Sequence, residues 1–141
     1  MKSNDSTAGY SGTPLYKKLG IKEGQKVFIK NMPESYFDLL YPIPYDVTFV
    51  LRLSSELDII HFFTKSRLEL EKHLKKYKTR IKQNGVIWVS WPKKSSKILT
   101  DITEDTIREI ALPLDLVDVK VCAVNDVWSG LKLVIRKEKR I

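Results

Sequence analysis

Six β-rich runs, separated by helix start and stop signals, constrain this chain more than any other feature. The runs are Lys26–Lys30, Val47–Leu53, Asp58–Thr64, Val86–Trp91, Val117–Val124 and Leu131–Lys137, each of strand length and rich in β-branched or aromatic residues. Ahead of them, Thr13 to Gly20 carries a compact helix signal, with Thr13 as cap, Pro14 at the first helical position and Gly20 as a left-handed stop. After the first run, Asn31 to Pro33 turns the chain into a helix through about Leu40. Pro42 and Pro44 end it, because neither tolerates a helix interior. Ser66-Arg67-Leu68-Glu69 has the capping-box pattern, and Leu70, Leu74, Tyr77 and Ile81 follow at helical spacing until Asn84-Gly85. Thr103 opens the last helix with Glu104 and Asp105 in its first turn, where the helix dipole favours negative charge. Ile107, Ile110, Ala111 and Leu114 give it one apolar stripe, and Pro113 ends it.

Strands alternating with helices predict a parallel sheet covered by helices. Two links are too short for that rule, since a parallel crossover takes about a dozen residues. Only Ser54 to Leu57 join the second and third runs, and Asn125 to Gly130 join the fifth and sixth. On that geometry the second and sixth strands are reversed. The expected fold is a three-layer, Rossmann-like α/β domain. Its mixed sheet has about six strands, mostly parallel, and ends in an antiparallel hairpin. A chain of 141 residues fits one such domain, spanning 11–141 behind a polar, flexible tail at 1–10.

Composition removes several classes of protein. Hydrophobic residues at 43% and charged residues at 30% exclude a disordered chain. Apolar stretches such as Ile59 to Phe63 are strand-sized, so none spans a bilayer, and the first residues lack the apolar segment of a secretory signal. The single cysteine, Cys122, forms no internal disulfide, which suits a reducing compartment and predicts a cytoplasmic protein. A net charge of +8, from 25 Lys and Arg against 17 Asp and Glu, favours an anionic partner or simply solvates exposed helix faces.

Catalytic motifs are lacking. Zinc takes about four ligands, and His61, His73 and Cys122 are far apart in sequence, so no metal site is assigned. His61 lies between Ile60 and Phe62 and reads as a core histidine, whereas His73 sits in a basic helix and reads as exposed. Ser90 has no evident adjacent base and no nucleophile-elbow glycines, and Gly85 opens no phosphate-binding loop. No catalytic residue and no cofactor is assigned.

Several strings nevertheless resemble one family. Trp88-Val89-Ser90-Trp91-Pro92-Lys93-Lys94, Thr103-Glu104-Asp105, Val117 to Val124 and Trp128 to Val134, with Ser11 to Leu15, Lys18-Leu19-Gly20 and Gly24, are similar to a family of small bacterial proteins catalogued as a domain of unknown function. Pro113 and Asp115 depart from that pattern, where it has a glycine helix stop. The order of the last elements also resembles the C-terminal half of class I S-adenosylmethionine-dependent methyltransferases, which implies that the sixth strand inserts between the fourth and fifth. The resemblance further implies a glycine-rich turn after the first strand and an acid after the second. Here Lys30-Asn31-Met32-Pro33-Glu34-Ser35 holds no glycine, none occurs between Gly24 and Gly85, and Glu56 is the acid nearest the second strand. The likeness is to a degenerate methyltransferase-like fold without the cofactor motif.

In open α/β sheets, ligands sit beyond the carboxyl ends of the parallel strands. That edge gathers Asn31, Thr64, Lys93, Lys94 and Asn125, together with Trp128 and Ser129 at the entry of the reversed last strand. Lysines for phosphate and an indole for stacking suit an anionic small molecule such as a nucleotide, unless Trp128 merely packs the hairpin. A second basic cluster comprises Lys72, Lys75, Lys76, Lys78, Arg80 and Lys82, with Arg136, Lys137, Lys139 and Arg140 near the C-terminus. It fits nucleic acid or a solvated amphipathic face around Leu74, Tyr77 and Ile81. The expected function is a non-catalytic small-ligand or partner-binding module; the alternatives are an enzyme with an atypical site and a nucleic-acid binder.

Overall fold

The computed structural model describes residues 12–141, so the tail expected at 1–10 lies outside the described residues. In chain order the elements are α1 (Leu15–Leu19), β1 (Lys26–Lys30), α2 (Tyr36–Leu40), β2 (Thr48–Val50) and β3 (Leu57–Phe63). They continue with α3 (Arg67–Lys78), β4 (Ile81–Pro92), α4 (Glu104–Ala111), β5 (Leu116–Ala123) and β6 (Trp128–Ile135). One sheet runs β2-β1-β3-β4-β6-β5. β1 is parallel to β2 and β3, β3 is parallel to β4, and β6 is antiparallel to both β4 and β5. This is the expected mixed sheet, with β6 between β4 and β5.

The second strand is a correction. β2 is parallel to β1, not reversed. The dozen-residue rule assumes strands of ordinary length, but β2 has only three residues and is level with the start of β3, through Lys26↔Thr48 and Val27↔Ile59. The link therefore climbs back about 10 Å and crosses one intervening strand, a path of about 10 Å more. Residues 51–56 can span both, because an extended chain reaches about 3.3 Å per residue.

The junction of α3 and β4 is a second correction. Ile81 follows the helical spacing of α3 but opens β4, and Asn84-Gly85 lie inside that strand rather than at a helix end. A bulge makes this work: the register passes from Leu57↔Ile81 to Ile59↔Val86, leaving extra residues on β4. Gly85 is required there, because a Cβ would stand 2.9 Å from both Ile81 Cβ and Lys82 O. At the end of α4, Pro113 lies in a 3₁₀ turn, Leu112–Leu114, and Asp115 takes the left-handed stop at φ 65° in place of glycine.

Two cores flank the sheet. On one face, α3 and α4 bury Leu70, Leu74, Tyr77 and Ile107 against Phe28, Phe62, Val89 and Leu131. On the other, α1 and α2 bury Leu15, Leu19, Tyr36 and Leu40 against Val27, Phe63 and Trp88. The buried Trp88 indole donates to Leu19 O at 2.9 Å, so its polar edge is satisfied while it anchors α1. No described helix is long and apolar enough to cross a membrane.

Candidate ligand cleft

At the carboxyl edge of β1 and β3, the chain's own side chains close the point where the strand order reverses. Asn31 stands at φ 59° and donates from Nδ2 to Phe63 O (2.8 Å) and to Glu69 Oε2 (3.1 Å). Buried Thr64 donates from Oγ1 to Glu69 Oε1 at 2.5 Å. Burial opposes the charge on Glu69, but the hydrogen bonds from Thr64 and Asn31 and the nearby His73 and Lys30 outweigh it and hold the carboxyl below its usual range. Ser66 Oγ accepts the Glu69 N–H as the cap of α3, while the Glu69 side chain turns to Thr64 and Asn31. The turn after β1 does use left-handed backbone, at Asn31 and Ser35. The side chain that Asn31 carries then occupies the edge that a glycine would leave open.

The hairpin residues form a separate group. Asn125 Oδ1 accepts the N–H groups of Val127 (2.9 Å) and Trp128 (2.8 Å), which fixes the turn into β6. Trp128 is half-buried and meets Phe63 edge-on at 5.1 Å on the α1–α2 side. Ser129 pairs with Trp91 across β4–β6. Trp128 packs the hairpin and does not join the lysines.

Lys93 and Lys94 instead line a cleft of about 690 Å³ between the end of β4, the turn that follows, and the start of α4. Lys97 and Thr100 line it too, with Trp91 and Ile102 as buried apolar walls and Ile98 and Leu99 as exposed ones. The turn is held by Lys93 N–H donating to Val127 O (2.7 Å), by Ser96 Oγ donating to Lys93 O (2.6 Å), and by Lys97 at φ 61°. Thr103 caps α4 and exchanges hydrogen bonds with Thr106. The acids at this end, Glu104 and Asp105, are held by Arg108 at 2.7 and 2.9 Å, and Arg108 also reaches Asp118 at 3.0 Å. Those hydrogen bonds raise the already high guanidinium pKa. Among the described residues, Lys93, Lys94 and Lys97 make no salt bridge. The cleft therefore offers uncommitted positive charge beside an apolar wall. Trp91 escapes a sequence reading because it resembles any core strand residue, and Lys97 because only the turn after Lys94 brings it back.

A buried polar chain crosses the other face. Tyr36 Oη lies 2.7 Å from His61 Nδ1, and His61 Nε2 lies 2.7 Å from Ser90 Oγ. The base absent beside Ser90 in sequence is thus supplied in space by the next strand. Burial pushes His61 down to about 3, so its imidazole is neutral, and burial followed by nearby Cys122 pushes the Tyr36 hydroxyl up. A neutral imidazole donates at one nitrogen and accepts at the other, so either tautomer satisfies the chain. His61 and Ser90 are 0% and Tyr36 1% exposed, so this serine has no contact with solvent. Among the described residues, no cluster of three His, Cys, Asp or Glu side chains is placed to hold a metal.

Comparison with known proteins places the fold. No family model and no curated protein matches the chain. Among solved structures, an S-adenosylmethionine-dependent methyltransferase from Aquifex aeolicus is similar with a TM-score of 0.60 at 14% identity, over 86% of this chain and 88% of that one. An O-methyltransferase from Thermotoga maritima gives 0.58 at 8% identity, over 87% and 64%. A ribosomal protein L11 methylase from Lactobacillus delbrueckii gives 0.53 at 10%, over 86% and 75%. The chain has the Rossmann-like architecture of these methyltransferases, and at such identities the likeness is one of fold. Its residues do not fit S-adenosylmethionine at the edge of β1, where Asn31, Thr64 and Glu69 bridge the strand ends.

Proposed function

We propose that the protein is a non-catalytic binding module on a degenerate methyltransferase-like fold, taking a small anionic ligand of nucleotide type in the cleft after β4. The observation that carries this reading is the cleft itself: Lys93, Lys94 and Lys97 make no salt bridge among the described residues and stand beside Trp91, Ile98 and Leu99. Ammonium groups meet phosphate, and the apolar wall takes a flat ring. A reducing, cytoplasmic setting accords with the lone Cys122. The competing reading, an enzyme with an atypical site, draws on the fold likeness alone.

Thermal unfolding against mononucleotides and S-adenosylhomocysteine tests it. A nucleotide at 100 times its dissociation constant stabilises by about 2.7 kcal/mol, a rise of several degrees for a domain of this size. That rise disappears when Lys93, Lys94 and Lys97 are all replaced by Ala. A shift with S-adenosylhomocysteine alone overturns the proposal in favour of a methyltransferase, and no shift with any nucleotide removes it outright.

A further inference from the structure

The two flanks of α3 differ in how their charges are used. On the α4 side, Arg67 is bound to Glu71 and Glu109, and Lys78 lies 3.9 Å from Asp115. On the β1 side stand Lys72, His73 and Lys76, with Lys30 at the end of β1 close enough to act on the same imidazole. Among the described residues, none of these three lysines makes a salt bridge. The nearby acid, Glu69, is already held by Thr64 and Asn31. No helix lies between β2 and β3, and Lys72 and Lys76 are exposed on this flank.

We propose that the α3 flank facing β1 binds the phosphodiester backbone of a single-stranded nucleic acid, through Lys30, Lys72 and Lys76. Lys72 and Lys76 are one turn apart, about 6 Å along the helix, and Lys30 continues the charge onto the sheet. A spread of positive charge across two elements matches a repeated anion better than a single one. Among the described residues the flank offers no projecting helix end or ribbon of the kind that enters a duplex groove, which favours a single strand. This surface shares no residue with the cleft after β4, so either proposal can fail without the other.

His73 supplies a local reporter. Its ring stacks on Tyr77 at 5.7 Å and meets Phe62 edge-on at 5.9 Å, so it is held in place. Burial, then Lys30, and further Lys72 and Lys76 lower its pKa, against an opposing pull from Glu69. A bound phosphate cancels part of the lysine charge and raises it. The chain has only two histidines, and His61 is fully buried and held down to about 3, so the imidazole signal that responds to charge on this flank is that of His73.

The experiment combines anisotropy with imidazole NMR, using labelled oligothymidylate of about 16 nucleotides, within the range of single-strand sites. Three phosphate contacts predict a slope of log K against log salt of about −2, at about 0.7 per contact for single strands. Lys72→Gln combined with Lys76→Gln should make the slope shallower by about 1.4, and the His73 titration should move up when oligonucleotide is added. Absence of binding at low salt overturns the inference. So does binding with an unchanged slope in the double variant, or binding that leaves His73 unmoved. A duplex of the same length binding equally well overturns the single-strand assignment.

Discussion

Ser90 Oγ and His61 Nε2 stand 2.7 Å apart inside the protein, with Tyr36 Oη at the same distance from the other imidazole nitrogen. The three side chains come from β4, β3 and α2, so this short polar chain ties a five-residue helix to the middle of the sheet. Neither hydroxyl nor imidazole lacks a partner, which is what allows a histidine to be fully buried in an apolar core.

The pH dependence of stability follows from that burial. His61 takes up a proton near its ordinary pKa when unfolded, but folded it stays neutral down to about 3. Between those values the unfolded chain binds the extra proton, so stability rises with pH and is lost as pH falls from about 6.5 towards 3. The limiting slope is about 1.4 kcal/mol per pH unit for one proton. Urea titrations across that range, compared with His61→Phe, provide the check; the variant should be less stable at neutral pH and show a shallower acid slope.

Trp128→Ala separates packing from ligand binding. The indole is half-buried against Phe63, so its loss should cost about 2–3 kcal/mol, below the 3–5 of a fully buried Trp. Nucleotide affinity should not change once the variant is folded, because Trp128 does not line the cleft. Denaturant midpoints and calorimetry on the same preparation test both halves.

Gly130→Ala probes the crowding above the serine. A Cβ there would stand 3.2 Å from Trp88 Cε3 and 3.3 Å from Ser90 Oγ. Both neighbours are buried and Trp88 is pinned by its hydrogen bond to Leu19, so they yield little. The expected loss is about 1–3 kcal/mol, measurable as a lower denaturant midpoint at constant m-value. An unchanged midpoint would mean that Trp88 has room to move.

Much of the fold was legible because strand length, link length and helix caps are local quantities. Ser66, Thr103 and Gly20 mark element ends as their chemistry requires, and the short hairpin link forces β6 to reverse. β2 departs from the expectation because its three-residue length is set by its neighbours and not by the β-rich run from Val47 to Leu53. The bulge at Gly85 stays hidden in the sequence because it is the folded bulge that brings Ile81 Cβ and Lys82 O to 2.9 Å and Leu57 O to 3.0 Å from where a Cβ would stand. Asn31 and Thr64 do meet, but at Glu69; Lys93 and Lys94 do face a cleft, but with Trp91 and not Trp128. Whether a residue lies above or below a sheet edge depends on turns whose geometry composition does not encode.

β6 pairs on both sides, with β4 and with β5, although it follows every other strand in the chain. During synthesis, β5 therefore emerges with no strand to join, and β4 presents Val86 to Val89 along an open border. The sheet becomes continuous only when residues 128–135 are in place between β4 and β5. Until then the nascent chain carries an adhesive β-edge, an unpaired strand border of the kind that invites pairing with another chain.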